Sequence, residues 1–161
     1  MNLLENPALK WIHFTDADKR FAYPIDYHGA VLSVRPDADG AGGHIDLLYR
    51  WEPNAYCHFH RHVCATTSTV LAGELHVVDY EGGPFEIERA GEKRIRAAGD
   101  YAAKDPGDVH MEHGGPGGAL VLFNLYAPDG RLADFLGPDG ETLTTITLED
   151  MTTGRIAQQA A

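Results

Sequence analysis

Three histidines separated by single residues constrain the fold of this chain more than any other feature. His58, His60 and His62 stand at positions i, i+2 and i+4, and a fourth histidine, His110, follows the turn at 105–108. Successive side chains of a β-strand point to opposite faces, so the first three imidazoles would share one face. Two histidines on one strand and one on a neighbour can form an open metal site, because neutral imidazole binds Zn, Fe, Cu and Ni.

Length and charge predict one globular domain that spans residues 1–161. The formal net charge of −11 argues against a nucleic-acid partner, which would require a basic face. No apolar run approaches the ~18 residues that span a bilayer, and the N-terminus lacks a secretory leader pattern. We therefore expect a cytoplasmic protein with no membrane partner. Cys57 and Cys64 would lie about 23 Å apart in an extended strand, so we expect two free thiols.

Short β-like runs, separated by glycine and proline, predict a β-sandwich or barrel that can hold one small ligand. The most apolar run is expected to be a central strand, and the basic run an edge strand. Further breaks are expected at Gly73 and across 114–118. The runs are Ala30–Val34, His44–Trp51, Ser68–Tyr80, Phe85–Arg89, Lys93–Arg96 (basic), Gly99–Lys104 and Ala119–Tyr126 (most apolar).

The two ends of the chain are expected to lie outside the barrel. Residues 1–25 would form an arm with a short helix at Pro7–Trp11. Because an unpaired barrel edge invites strand exchange, we expect this arm to pair with a second subunit in a homodimer. Residues 128–161 would add a hairpin near Arg131–Thr147 and a helix over Leu148–Gln159, with Asp150 completing a capping box at Thr147.

The first histidine segment resembles the first motif of the cupin superfamily. That motif reads Gly, five residues, His-x-His, three or four residues, Glu, six residues, Gly. His60 and His62 take the His-x-His place, and Gly73 is the closing glycine. Asn54 and Thr66 stand where the motif has its opening glycine and its glutamate.

The second histidine segment resembles the second cupin motif, which reads Gly, five residues, Pro-x-Gly, two residues, His, three residues, Asn. Gly99, Gly107 and His110 match it, whereas Asp105 replaces the proline and Gly114 the asparagine. The double match covers about residues 30–127. It implies an all-β cupin double-stranded β-helix, an RmlC-like jelly-roll barrel, with a short N-terminal arm and a C-terminal helix.

The resemblance also implies that His60, His62 and His110 bind one divalent metal ion. The missing glutamate points to the three-histidine branch of the superfamily. That branch includes the dioxygenases that cleave acetylacetone and 2,4'-dihydroxyacetophenone, and the cupin domain of ChrR-type anti-sigma factors. Three segments resemble this branch: Val70–Leu75, Ala98–Tyr101 and Pro106–His110.

This branch implies a non-haem Fe(II) dioxygenase that uses O₂ to cleave a C–C bond in a small β-diketone or hydroxyketone. Three neutral ligands leave the ion its full charge and keep positions open for substrate. Two alternatives stay open. One is a non-oxidative hydrolase, lyase or isomerase with Zn, Mn or Ni, and the other is a module that senses a metal or a small molecule.

Two further side chains are candidates for supporting roles beside the metal. Strand parity places Cys64 and Thr66 on the face of His60 and His62, where Thr66 could hydrogen-bond a metal-bound water. Glu112 shares a face with His110 and could act as a base or orient a ligand histidine. Cys64 is expected to be a small buried side chain.

Four aromatic residues are candidates for pocket walls that exclude water: Tyr49, Trp51, Phe123 and Tyr126. We expect His58 to lie outside the ligand set because it precedes the motif. His113 is expected to face solvent, since a glycine-rich segment follows it. The remaining histidines, His13, His28, His44 and His76, have no partner pattern and are expected to be ordinary polar positions.

Overall fold

The computed structural model describes residues 6–79 and 93–155. These residues form one ten-stranded antiparallel sheet that curls on itself, followed by the short helix α1 (Leu148–Thr153). Among them, no helix has the length and apolar character needed to cross a membrane. The strands are β1 (Trp11–Thr15), β2 (Asp26–Pro36), β3 (Gly43–Trp51), β4 (His60–His62), β5 (Ala65–Asp79), β6 (Lys93–Ala97), β7 (Tyr101–Lys104), β8 (Val109–Ala127), β9 (Arg131–Leu136) and β10 (Thr142–Thr147).

The long strand β8 organises the sheet. Its second half pairs with β3, its beginning pairs with β4, and β5 pairs with it along nearly its whole length. Neighbouring strands then follow the order β1-β2-β3-β8-β4-β9-β10, and β5 also pairs with β6 and β7. This arrangement places the start of β8 beside β4, which brings two distant parts of the sequence together.

Aromatic side chains fill much of the space between the curled strands. Phe14 stacks on Tyr27 with ring centroids 4.6 Å apart, and Tyr27 stacks on Trp51. Tyr49 meets Phe123 edge to face at 5.5 Å. Large rings of this kind contribute much of the apolar area that stabilises a core. The predicted all-β fold is therefore confirmed, and its aromatic core lies inside the barrel.

The predicted strand breaks at Gly73 and at 114–118 are wrong, because β5 and β8 run continuously through both. Gly73 lies opposite Ala119, with register shifts on either side. It has a φ of +71°, and a Cβ atom there would lie 2.2 Å from the carbonyl oxygen of Gly118. The glycine therefore permits a bulge and a close approach of two backbones instead of ending a strand.

The N-terminal prediction of a helix at Pro7–Trp11 is also wrong. The segment Trp11–Thr15 is strand β1, and it pairs with β2 of the same chain. These five residues are therefore paired within the chain. The homodimer and the single domain over 1–161 stay predictions.

The C-terminal hairpin forms as predicted, but it belongs to the barrel, because β9 pairs with β4. The sheet thus extends beyond 30–127. The capping box at Thr147 is confirmed, with the Asp150 amide donating to Thr147 Oγ1 at 3.2 Å. Helix α1 stops at Gly154, a left-handed cap with φ 75°, earlier than predicted. Residues 156–159 of the predicted helix lie outside the described residues.

The basic run beginning at Lys93 forms an edge strand, β6, which pairs only with β5 among the described residues. The predicted strand Phe85–Arg89 lies outside them. Cys57 and Cys64 are free thiols, as predicted, and both are buried.

Candidate metal centre

Three buried histidines meet where β4 lies beside β8. His60 and His62 come from β4. His110, which is paired in register with His60, is the second residue of β8. The Nε2 atom of His62 lies 3.2 Å from that of His60 and 3.3 Å from that of His110. Because strand side chains repeat every second residue, both histidines of β4 point to the same inner space. The three nitrogens could hold one metal ion.

Two of these rings donate through Nδ1 to groups that can only accept. His60 Nδ1 lies 2.8 Å from the carbonyl oxygen of His58, and His110 Nδ1 lies 2.5 Å from Asp108 Oδ2. A carbonyl and a carboxylate accept hydrogen bonds, so Nδ1 carries the ring proton in both cases. Nε2 of each ring then presents a lone pair towards the shared space.

The third ring, that of His62, also carries its proton on Nδ1, because a hydroxyl group accepts a hydrogen bond from this atom. Thr66 Oγ1 donates to the carbonyl oxygen of Cys64 at 3.2 Å, so its proton is already used. It therefore accepts from His62 Nδ1 at 3.1 Å. All three Nε2 atoms consequently face one another as acceptors without a proton between them. A bound cation is the species that would satisfy three converging lone pairs.

Burial keeps the rings of His60 and His62 neutral. Burial and the neighbouring His110 lower the pKa of His60 to about 3. Burial, together with His60 and His110, lowers the pKa of His62 well below its ordinary value. Metal binding at neutral pH would therefore displace no proton from these two rings.

Asp108 is anchored on its other side by Lys104. The Lys104 Nζ atom lies 2.9 Å from the Asp108 Oδ2 atom that accepts from His110. The hydrogen bonds from His110 and Lys104 hold the pKa of Asp108 well below its usual range. The sequence analysis missed Asp108, although its position two residues before His110 was a usable signal.

Glu112 lies next to the three histidines, as strand parity predicts. Its Oε1 atom is 3.7 Å from His110 Nε2, and its side chain is almost completely buried. Burial raises the pKa of this carboxyl group. The site therefore contains a carboxyl group that is unusually basic for a glutamate.

Two cavities adjoin the histidines and share His62, Glu112 and Phe123 as walls. The inner cavity, of about 60 Å³, is mainly aromatic and aliphatic, and includes Tyr27, Tyr49, Trp51 and Phe135. The outer cavity, of about 250 Å³, is polar and includes Ser68, Arg94, Arg96, Tyr101 and Lys104. The metal position thus lies between an apolar pocket and a cationic one.

One predicted pocket wall is wrong. Tyr49, Trp51 and Phe123 line the inner cavity, whereas Tyr126 is 39% exposed and stacks on His44. Phe123 and Tyr126 are three residues apart on the same strand, so they face opposite sides of the sheet.

The prediction that His113 faces solvent is wrong as well. Its ring is buried and lies 4.5 Å from that of Tyr56, because β8 continues through the glycine-rich segment. His58 lies outside the cluster of three. Its ring stacks on Phe135, and its Nδ1 atom hydrogen-bonds the Tyr27 hydroxyl at 3.1 Å.

A second group of potential ligands lies on the outer face of β1 and β2, and sequence analysis missed it. His13 is paired in register with His28, and Asp26 precedes His28 by two residues. The alternation of Asp26 and His28 was a signal, but the pairing with His13 depends on β1 being a strand.

No family model matches the sequence, and no curated protein does either. Similar solved structures include an RmlC-like cupin from Ralstonia eutropha, with 11% identity, 97% of this chain and 84% of that chain covered, and a TM-score of 0.64. A proposed acetylacetone dioxygenase from Methylibium petroleiphilum has 17% identity, coverage of 91% and 88%, and a TM-score of 0.62. An acetylacetone dioxygenase from Acinetobacter johnsonii has 15% identity, coverage of 92% and 82%, and a TM-score of 0.60.

Proposed function

This chain has the cupin fold, and we propose that it is a mononuclear metal-dependent dioxygenase. Its substrates would be O₂ and a small β-diketone or hydroxyketone, in which it cleaves a C–C bond. The observation that carries the proposal is the convergence of three unprotonated Nε2 atoms in a buried site. The similarity in fold to two proteins described as acetylacetone dioxygenases supports the choice of reaction.

We assign His60, His62 and His110 as the ligands of one divalent ion, with Fe(II) as the favoured metal. Such an ion supplies a Lewis acid for a bidentate oxygen ligand and, as Fe(II), the electrons for chemistry with O₂. The hydrogen bonds to Asp108, Thr66 and the His58 carbonyl fix the orientation of the rings before any ion arrives.

The remaining residues would handle the organic substrate. The carbon between two carbonyl groups is acidic, and its proton needs an acceptor close to the metal position. We assign this role to Glu112, because its carboxyl group is adjacent to the histidines and burial makes it more basic. The aromatic walls formed by Tyr49, Trp51 and Phe123 would exclude water from the reacting carbon atoms.

Oxygen consumption by iron-loaded protein tests this proposal. Protein purified without added metal is analysed for metal, loaded with Fe(II) without oxygen, and then mixed with acetylacetone or a panel of hydroxyketones in an oxygen electrode. We expect one iron per chain and O₂ uptake that depends on substrate. The matched variants are His62→Ala, which should lose both, and His44→Ala on the outer surface, which should keep both.

Absence of uptake with every diketone and hydroxyketone in fully loaded protein would contradict the dioxygenase. If the protein purified without added metal carries stoichiometric Zn, Mn or Ni, the non-oxidative alternative takes its place. The buried carboxyl group of Glu112 favours that alternative over a sensor, because a base is required for hydrolysis or isomerisation but not for sensing.

A further inference from the structure

The outer cavity carries three cationic side chains in a protein whose net charge is −11. Arg94, Arg96 and Lys104 all line it, and the cavity reaches inward to His62 and Glu112. A substrate that binds at the histidines and extends into this cavity would lie beside the cations. The charge of each cation therefore bears on which substrates can bind.

Two of the three cations are already neutralised by carboxylates of the protein. Arg94 pairs with Asp79. Lys104 pairs with Asp108 at 2.9 Å, and this carboxylate also holds His110. Neither side chain therefore adds much net charge to the cavity.

Arg96 differs from both, because its guanidinium is bound only by neutral oxygens among the described residues. Its Nη1 atom donates to Ser68 Oγ at 2.9 Å, and its Nη2 atom donates to the carbonyl oxygens of Ser68 at 3.1 Å and Asp100 at 3.4 Å. No carboxylate of the described chain forms an ion pair with it. The three bonds use three of the five N–H groups of a guanidinium.

These bonds also fix the position of the charge. Arg96 is half-buried on β6, where its backbone pairs with Leu75 of β5, and Ser68 belongs to β5 as well. A guanidinium held by neutral groups keeps its full charge and has lost its rotational freedom before a ligand binds. The N–H of Nε and the second N–H of Nη1 remain beyond these three bonds, and a fixed, charged donor of this kind suits a hydrogen bond to a carboxylate.

We propose that Arg96 binds a carboxylate of the substrate, so that the substrate is a small ketone with one negative charge instead of a neutral diketone. This inference rests on the proposed function, since it places the carbonyl groups of the same molecule at the three-histidine site. The apolar end of the molecule would occupy the inner cavity beside Tyr49 and Trp51.

A matched pair of ligands isolates the contribution of the charge. Heptane-2,4-dione and 4,6-dioxoheptanoate contain the same β-diketone, and they differ by a carboxylate in place of a terminal methyl group. Their affinities are measured by calorimetry with metal-loaded protein under anaerobic conditions. We expect the carboxylate to bind about ten- to a hundredfold more tightly, as for a charged hydrogen bond in a half-buried site.

Variants of Arg96 then connect this selectivity to the guanidinium. In Arg96→Gln the ratio of the two affinities should fall to within about threefold, and Arg96→Lys should keep part of it through its charge. Arg131→Gln is the control, because it changes the net charge equally at an exposed residue of β9. If Arg96 only stabilises the fold, Arg96→Gln should lower the thermal stability without changing the ratio of the two affinities.

Three results would overturn the inference. The first is equal binding of both ligands to the wild type, and the second is an unchanged ratio of affinities in Arg96→Gln. The third is no binding of either ligand to a chain that holds one metal ion. Each of them excludes carboxylate recognition by Arg96. All three leave the metal site in place. Failure to bind a metal would instead remove the proposed function, and the inference would fall with it.

Discussion

Two groups of potential metal ligands in this molecule follow the same pattern on paired strands. The inner group takes His60 and His62 from β4 and His110 from β8, and the outer group takes Asp26 and His28 from β2 and His13 from β1. In each, two ligands are separated by one residue and the third comes from the partner strand. The ligand atoms of each group lie within 4.8 Å of one another. Spacing and proximity therefore do not separate the two groups.

The groups differ in what each side chain contacts. In the outer group, the His13 side chain is 52% exposed, and its Nε2 atom bonds directly to Asp26 at 2.8 Å. The rings of His13 and His28 stack face to face, with centroids 4.2 Å apart. Two of the potential ligands are thus bonded to each other and remain in contact with water. In the inner group, other residues bind every Nδ1 atom and leave every Nε2 atom facing a common point.

The comparison teaches that a metal site depends on its supporting hydrogen bonds as much as on ligand spacing. Asp108 and Thr66 orient rings in the inner group, whereas in the outer group Asp26 bonds the other potential ligand. Burial also strengthens the inner interactions, because water competes less there. We expect only the inner group to bind a metal ion tightly.

The largest expected effect is the loss of metal from a variant of the inner group. His62→Ala should lower metal affinity by more than about a hundredfold, since removing a ligand costs more than removing its hydrogen-bond partner. His13→Ala should leave the affinity unchanged. Competition with a chelator of known affinity measures both. Equal losses of metal affinity in the two variants would show that the inner and outer groups do not differ in metal binding.

The second effect is a loss of stability in acid that comes from the buried imidazole of His58. Burial lowers the pKa of His58 to about 4. The unfolded chain takes up this proton as the pH falls below about 6.5, whereas the folded chain does so only near 4. The contribution of His58 should therefore be complete above pH 6.5 and fall by about 3 kcal/mol towards pH 4. His60 and His62, whose pKa values are also lowered by burial, add to the total loss of the metal-free protein over the same range.

Urea unfolding of the metal-free protein at several pH values measures this decrease. His58→Gln should reduce the dependence between pH 6.5 and 4 by the contribution of one imidazole, and a matched His44→Gln on the surface should leave it unchanged. A slope that is the same in wild type and His58→Gln would show that His58 titrates normally.

The third effect concerns the carboxylate behind His110. Asp108→Asn should lower metal affinity about ten- to a hundredfold, because a neutral amide accepts less strongly from Nδ1. Asp26→Asn makes the same change in the outer group and should have no effect. If both variants bind metal like the wild type, the orientation of the rings does not depend on this hydrogen bond.

The smallest effect is expected from the hydroxyl that supports His62. Thr66→Val removes the acceptor of Nδ1 while keeping the shape of the side chain, and should lower metal affinity about tenfold. Thr67→Val, one residue along β5, is the matched control because it points to the other face of the strand. A larger loss in Thr67→Val than in Thr66→Val would show that changes in packing outweigh the hydrogen bond.

The alternation of side chains in the sequence correctly predicted those features of the site that lie along one strand. His60 and His62 share a face because side chains alternate, and Glu112 falls beside His110 for the same reason. The capping box at Thr147 is equally local, and it too was predicted correctly.

Features that depend on pairing between distant strands could not be predicted in this way. His113 is buried because the glycine-rich segment continues β8 instead of ending it. Arg96 meets Ser68 only because β6 pairs with β5, and nothing in the spacing of these residues reveals that contact. The sequence pattern therefore indicates the candidate ligands, and the pairing of strands determines what surrounds them.

Element-specific anomalous diffraction from crystals grown with Fe(II) or Zn(II) tests the central claim most directly. The account predicts one metal peak per chain, bound by Nε2 of His60, His62 and His110 at about 2.1 Å, and none between His13, Asp26 and His28. A peak confined to the outer group, or an inner group with its rings turned away from a common point, would contradict it.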